Sequence, residues 1–268
     1  LFKKESLTFE QLAAGVGRFS ESVCGLGLNL DERVAIYLPK QVEVVTGVFG
    51  AAAAGGVAVP VNPMLKAQQV AHILRDCNVR VLVTSASRAK QLQEILPQCP
   101  DLEFLVLTGK VKEPLQFPGI RTLSWEELHG TAPAKPHRRI DSDMAAILYT
   151  SGSTGSPKGV VLSHLNMVAA AESSADFLEL TASDRLLAVL PLSFDYGLTQ
   201  LTTAYYVGAS VVLMDYLLAK EVVAAVDKFG VTGISAVPPI WNQLAVLDWP
   251  ESARKTMRYI TTSGGAAR

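Results

Sequence analysis

The amino-acid sequence predicts an α/β fold built on a mostly parallel sheet. Short Val-rich runs of strand type alternate with helix-length segments, and 49% of the 268 residues are hydrophobic, enough to bury a sizeable core. No repeat or low-complexity tract breaks the alternation.

In chain order, "RVAIYL" (Arg33 to Leu38) reads as the first strand. "VVTGVFGAAAAGGVAVPV" (Val44 to Val61) invites a membrane reading, but Gly55, Gly56 and Pro60 interrupt it and Ala dominates it. A membrane helix needs about 20 strongly apolar residues, so this run reads as a buried helix entering a buried strand. The segment "KAQQVAHILRDC" (Lys66 to Cys77) has helical periodicity, with His72 as a packing or surface residue, and "VRVLVTS" (Val79 to Ser85) and "FLVLTG" (Phe104 to Gly109) are strands. The polar, Pro-rich stretch "HGTAPAKPHRRIDSD" (His129 to Asp143) reads as a surface connection with His129 and His137 solvated, or alternatively as a domain linker. "MAAILYT" (Met144 to Thr150) and "GVVLS" (Gly159 to Ser163) are two strands around a polar loop. Ser163 is placed to cap the helix "HLNMVAAAESSADFL", whose His164 reads as structural, with an approach to phosphate or acyl group as the alternative. "ASVVLMD" (Ala209 to Asp215) continues the strand series.

Lys plus Arg (24) nearly cancels Asp plus Glu (25), so no overall field recruits nucleic acid or an anionic membrane, and recognition falls to local sites. Cys24, Cys77 and Cys99 are scattered without C-x-x-C spacing, which argues against a disulfide framework or zinc cluster and for a reducing, cytoplasmic setting. The start "LFKKESLTFE" lacks the apolar centre of a signal peptide.

The densest chemistry lies in "LYTSGSTGSPKGVVLSH" (Leu148 to His164). Gly152 and Gly155 let backbone N–H groups approach an anion, Ser151, Ser153, Thr154 and Ser156 add hydroxyls, and Lys158 adds a full charge. Pro157 fixes its own φ and biases Ser156 to an extended form. This composition fits a polyphosphate grip; a Gly/Ser hairpin without ligand is the alternative. A Walker loop is excluded because Pro157 stands five residues after Gly152 and Gly159 follows Lys158, with a strand in place of a helix. A Rossmann loop fails too, since "CGLGLNL" has Leu30 at the third glycine position.

The loop "YTSGSTGSPKGV" resembles the signature of the adenylate-forming superfamily of acyl-CoA synthetases, luciferases and peptide-synthetase adenylation domains. Further motifs agree in order: "LTFEQL" (Leu7 to Leu12), "FGAAAAGGVAVPVNPML" (Phe49 to Leu65), "LPLSFDYGLTQL" (Leu190 to Leu201), "ISAVPPIWNQL" (Ile234 to Leu244) and "YITTSGGAAR" (Tyr259 to Arg268). Within the superfamily, the stretch from Val48 to Ala89 is most similar to AMP-forming acyl-CoA ligases associated with exosortase A systems. The resemblance implies that Ser151, Gly152, Ser153, Thr154, Gly155, Lys158 and Gly159 hold the β- and γ-phosphates of ATP, with Thr154 and Lys158 catalytic. It places Gly264, Gly265 and Ala266 along the adenine or the acyl-adenylate. ATP, Mg²⁺ and coenzyme A are the implied cofactors, a carboxylic acid is the substrate, and no residue is assigned as a metal ligand.

The substrate motif departs from the pattern. Many acyl-CoA synthetases read P-L-F-H-x-Y-G, whereas "PLSFDYG" has Ser193, Phe194 and Asp195 in place of the aromatic, the His and the residue after it. Phe194 and Asp195 instead match an F-D pair of amino-acid-activating domains. A carboxylate in an apolar acyl pocket is costly without a partner. Asp195 therefore faces an amino or hydroxyl group of the acid or turns to a structural partner. Tyr196 and Pro239 complete the implied substrate wall, and Trp241 and Pro238 line an acyl or pantetheine tunnel by the same resemblance.

The implied fold is the N-terminal domain of the acyl-CoA synthetase type: two packed α/β subdomains, ending before the β-barrel and the C-terminal lid domain. Residues 1–40 are expected to join 185–268 in one subdomain, and 41–184 to form the other, carrying the loop at 150–159. The Y-G-x-T-E segment and late lysine of the family do not occur in the 268 residues. The expectation is therefore an ATP- and substrate-binding part that does not adenylate by itself, with the chain's own C-terminal domain as a partner. No nucleic-acid partner and no membrane span are expected.

Overall fold

The computed structural model describes residues 6–110, 115–150 and 157–264. They fall into two compact units, one of Leu7–Leu165 and one that runs from Asn166.

The first unit contains α1 (Phe9–Gly25), β1 (Arg33–Tyr37), α2 (Val42–Ala54), β2 (Val57–Pro60), α3 (Ala67–Asp76), β3 (Val79–Ser85), α4 (Ala86–Gln91), β4 (Phe104–Thr108), β5 (Arg121–Ser124), α5 (Trp125–His129), β6 (Met144–Thr150) and β7 (Lys158–Ser163). Its seven-stranded sheet has the order β5-β4-β3-β1-β2-β6-β7. Every neighbouring pair is parallel except β6 with β7. Its helices α1 and α5 start at capping boxes. Thr8 and Gln11 exchange backbone and side-chain bonds ahead of α1, and Ser124 and Glu127 do the same ahead of α5. The "LTFEQL" resemblance thus has a physical content: it is a capping box.

The apolar run from Val44 to Val61 forms α2 and β2, as read from its Gly and Pro breaks, and no helix among the described residues is long and apolar enough to cross a membrane. Val57, Val59, Leu82, Leu105 and Leu107 from the strands meet Val70, Ile73 and Leu74 of α3 in a buried core. Each such side chain stabilises the fold by about 1.5–3 kcal/mol.

The units divide differently from the expected scheme. Residues 7–40 belong with the first unit, because β1 is flanked on both sides: Ala35 pairs with Val59 of β2 and with Leu82 of β3. A strand hydrogen-bonded along both edges cannot be assigned to another sheet. The connection after α5 also differs from a solvated link. His129 is half-buried, 3.4 Å from Ser22 Oγ and edge-on to Trp125, and His137 Nε2 lies 2.7 Å from the Leu28 carbonyl. Arg139 donates to the Ala53 carbonyl at 2.6 Å, so this stretch is tied to α1 and α2.

Beyond α6 (His164–Phe177), the second unit holds β8 (Arg185–Ala188), α7 (Asp195–Tyr206), β9 (Ser210–Leu213), α8 (Ala219–Phe229), β10 (Gly233–Ala236), α9 (Pro238–Leu244), α10 (Glu251–Thr256) and β11 (Tyr259–Thr262). Its sheet is wholly parallel, in the order β11-β10-β8-β9. Leu187, Val212 and Ile234 from the strands pack with Val222, Val223 and Val226, the buried face of α8. At the N-terminal side of the sheet Asp184 is almost wholly buried. It accepts bonds from Arg258, the Thr232 hydroxyl and the Thr181 N–H, joining the approaches to β8, β10 and β11.

Candidate active site

In the first unit, β6 and β7 form an antiparallel pair whose last register position sets Thr150 opposite Lys158. Both residues are exposed, and among the described residues Lys158 has no ion pair, so a full positive charge stands at the mouth of the hairpin. Tyr149, opposite Gly159, donates its hydroxyl to Asp76 of α3 at 2.6 Å. Burial first, and then the Asp76 carboxylate, push the Tyr149 phenol far above its usual range, so it stays a donor. Gly159 is required by close approach: a Cβ there would lie 2.7 Å from Ile147 Cγ2 and 3.3 Å from the Tyr149 ring. His72, read from sequence as packing or surface, places Nε2 3.1 Å from the Pro157 carbonyl. Residues 151–156, with Ser151, Gly152, Ser153, Thr154 and Gly155, lie outside the described residues.

In the second unit, polar groups converge at the C-terminal ends of parallel strands, where open α/β sheets place ligands. The turn after β8 brings "PLSFDYG" back on itself. Gly197 sits so close to the preceding chain that a Cβ would lie 2.1 Å from the Pro191 carbonyl oxygen. Phe194 precedes α7 and is exposed, and Asp195 opens the helix, exposed, with Oδ1 accepting the Tyr196 N–H at 2.7 Å. A carboxylate in the first turn also meets the positive end of the helix dipole. The Tyr196 hydroxyl bonds Thr261 of β11, and Thr261 donates to Ser235 of β10 at 2.8 Å. Gln200 Nε2 donates to the Ser235 carbonyl at 3.2 Å, and Trp241 Nε1 to the Thr261 carbonyl at 2.9 Å. Ser193 Oγ is buried in this motif without a partner among the described residues. An open cavity of about 630 Å³, lined by Trp241, Trp249, Met257, Tyr259 and Arg254 among others, runs along the edge strand β11.

The AMP-binding enzyme family matches residues 1–268. The chain belongs to this AMP-binding enzyme family. The long-chain-fatty-acid–CoA ligase FadD13 of Mycobacterium tuberculosis is 32% identical over 265 residues, covering 96% of this chain and 50% of that protein. The fatty acid–[acyl-carrier-protein] ligase ScoC of Streptomyces coeruleorubidus is 32% identical over 249 residues, covering 91% of this chain and 46% of ScoC. In structure, the anthranilate CoA ligase AuaEII in complex with anthranoyl-AMP superposes with a TM-score of 0.89 at 26% identity, over 100% of this chain and 52% of AuaEII. The chain thus spans about half the length of the relatives it matches.

Within the AMP-binding family chain, Lys158 and Gly159 stand on β7 of the first unit, while Phe194, Asp195, Tyr196, Pro239 and Gly264 all belong to the second. Tyr196 and Trp241 both bond Thr261, three residues before Gly264. Pro239, in the first turn of α9, is exposed. Gly265 and Ala266 lie outside the described residues. His164 opens α6 with its Nε2 buried and unpartnered among them; burial and then Arg139 lower its pKa. Sequence reading did not single out Ser235 and Thr261 at strand ends or Gln200 on α7, which hydrogen bonds link only once the fold is formed. Their one signal was a hydroxyl or amide near the end of an apolar run.

Proposed function

We propose that this chain is the ATP- and acid-binding part of an AMP-forming carboxylate–CoA ligase acting on a fatty or other acyl acid. An oxygen of the carboxylate attacks the α-phosphorus of ATP and pyrophosphate leaves. A thiol, that of coenzyme A in this reading, then attacks the acyl carbon of the adenylate, AMP leaves, and the thiol proton passes to solvent. The observation that carries the reading is the β6/β7 hairpin, which ends "TSGSTGSPKG" with an exposed Lys158 at its mouth. Its donor set suits the outer phosphates of ATP: hydroxyls and N–H groups from 151–156 and the Lys158 ammonium oppose the charge that grows on pyrophosphate as it leaves. Among the described residues no three of His, Cys, Asp or Glu converge on one point, and Mg²⁺, which neutralises phosphate charge in such chemistry, is given no ligand here.

FadD13 and AuaEII support the acyl-CoA reading through what they act on. ScoC keeps open a carrier-protein thiol as the acceptor. Asp195 bears on the choice of acid. Its Oδ1 accepts the Tyr196 N–H at the start of α7, and the exposed carboxylate keeps acceptor capacity for an ammonium or hydroxyl of the acid, so this contact is compatible with both roles. The remaining half of the relatives' length is the place for the groups that complete the site, and the 268 residues alone are proposed not to adenylate.

Hydroxylamine trapping of the activated acid, run on the full-length polypeptide with fatty, aromatic and amino acids, tests this reading. Fatty or aromatic acids are expected to give hydroxamate, and Thr154→Ala and Lys158→Ala to lower turnover by about 10²–10³-fold each. Hydroxamate from amino acids alone would transfer the chain to the amino-acid-activating reading, and unchanged kinetics in both variants would remove the loop from the mechanism.

A further inference from the structure

We infer that His72, with Asp76 one turn later on α3, clamps the hairpin arms and thereby positions Lys158 for the nucleotide phosphates. The inference rests on the proposed role of the loop. Residues 72 and 76 are i and i+4 on a helix and project from one face. His72 Nε2 lies 3.1 Å from the carbonyl oxygen of Pro157, the residue immediately before Lys158. A carbonyl only accepts, so Nε2 carries the proton and donates. Asp76 takes the other arm, accepting the Tyr149 hydroxyl at 2.6 Å. The His72 and Tyr149 rings meet edge-on with centroids 6.4 Å apart, which closes the contact between the two anchors.

The placement of these bonds gives them their effect. Thr150 and Lys158 are the last β6/β7 register pair among the described residues, and the Pro157 carbonyl lies one residue beyond it. His72 holds the chain there from α3. Lys158 carries a long, flexible side chain, and its reach is defined only as well as the backbone beneath it. Tyr149 stands against the chain at Gly159, so α3 restrains the residues on both sides of Lys158. A fixed backbone here lowers the ordering cost of gripping a nucleotide and leaves acid binding in the second unit untouched.

His72 is thus a positioning residue, and its test separates positioning from packing. In the full-length polypeptide, His72→Leu removes the donor and His72→Gln keeps a terminal N–H at similar reach. Three quantities are compared: binding of a non-hydrolysable ATP analogue by titration calorimetry, KM for ATP against KM for the acid, and Tm. His72→Leu is expected to weaken analogue binding about 3- to 10-fold, the range of one net hydrogen bond, and to raise KM for ATP alike. KM for the acid should stay within about twofold, the scale on which uniform binding at an untouched site is judged unchanged. His72→Gln should restore most of the loss. Lys158→Ala runs in parallel. If Lys158→Ala leaves analogue binding intact, the loop reading falls and the inference with it. If Lys158→Ala weakens binding while His72→Leu matches the unaltered protein, the clamp is overturned and the loop reading stands. Equal rises in both KM values, with a lower Tm and no rescue by Gln, would overturn it as well.

Discussion

A methyl group added at Gly159 would lie 2.7 Å from Ile147 Cγ2 and 3.3 Å from the Tyr149 ring. Gly159→Ala should therefore destabilise the hairpin by about 1–3 kcal/mol, as overpacking does, and raise KM for ATP because Tyr149 must move. Urea unfolding alongside kinetics checks both halves. The histidines set a second expectation. Burial, and then Arg18, lower the pKa of His129, while burial and then Arg139 lower that of His164. A depressed folded-state pKa means that the neutral form is favoured on folding. The associated stability is present above the unfolded value of about 6.5 and is lost as pH falls through the folded value. The urea midpoint should thus fall as pH drops from about 7 towards 5, and His129→Gln should flatten part of that slope. An unchanged slope would remove His129 from the account. These environments were not legible in the sequence: His129 and His137 sit in a polar, Pro-rich stretch, and they are half-buried where that stretch bonds Ser22 of α1 and the Leu28 carbonyl after it.

The approaches to β8, β10 and β11 depend on Asp184. Burial alone would raise its pKa, but bonds from Arg258, Thr232 and the Thr181 N–H outweigh that cost and hold the carboxyl below the usual carboxylate range. Asp184→Ala would remove the shared acceptor of Arg258, Thr232 and the Thr181 N–H, and a loss of about 1–3 kcal/mol is expected, read by urea unfolding, with faster hydrogen exchange in β8, β10 and β11. The α7 turn makes a parallel demand, because a Cβ at Gly197 would fall 2.1 Å from a backbone oxygen that cannot swing aside. Here the sequence was readable in part. The strands at 33–38, 79–85 and 104–109 announced themselves as Val-rich runs and stand as β1, β3 and β4 within a residue of the read bounds. In contrast β5, "RTLS", and the short α5 carry too few apolar residues for periodicity to register; β5 forms because β4 offers an edge.

At the scale of the molecule, the alternation of strand and helix, the strand-to-strand setting of the loop and the family were all carried by local sequence. The division into units was not. The expectation sent residues 1–40 to the later subdomain, whereas Arg33–Tyr37 pairs with β2 and β3, a choice made by sheet register that no local pattern announces. The candidate site was legible where one segment carries it, at Lys158 and Gly159, and illegible where strand ends assemble it, at Ser235 and Thr261. The central claim is that the β6/β7 hairpin grips the phosphates of ATP while a carboxylate is activated. Carboxylate-dependent ATP–pyrophosphate exchange by the full-length polypeptide, measured for the unaltered protein and for Lys158→Ala, tests it most directly. The account predicts exchange that requires an acyl acid and falls about 10²–10³-fold in the variant; exchange that is absent with every acid, or equal in the two proteins, would contradict it.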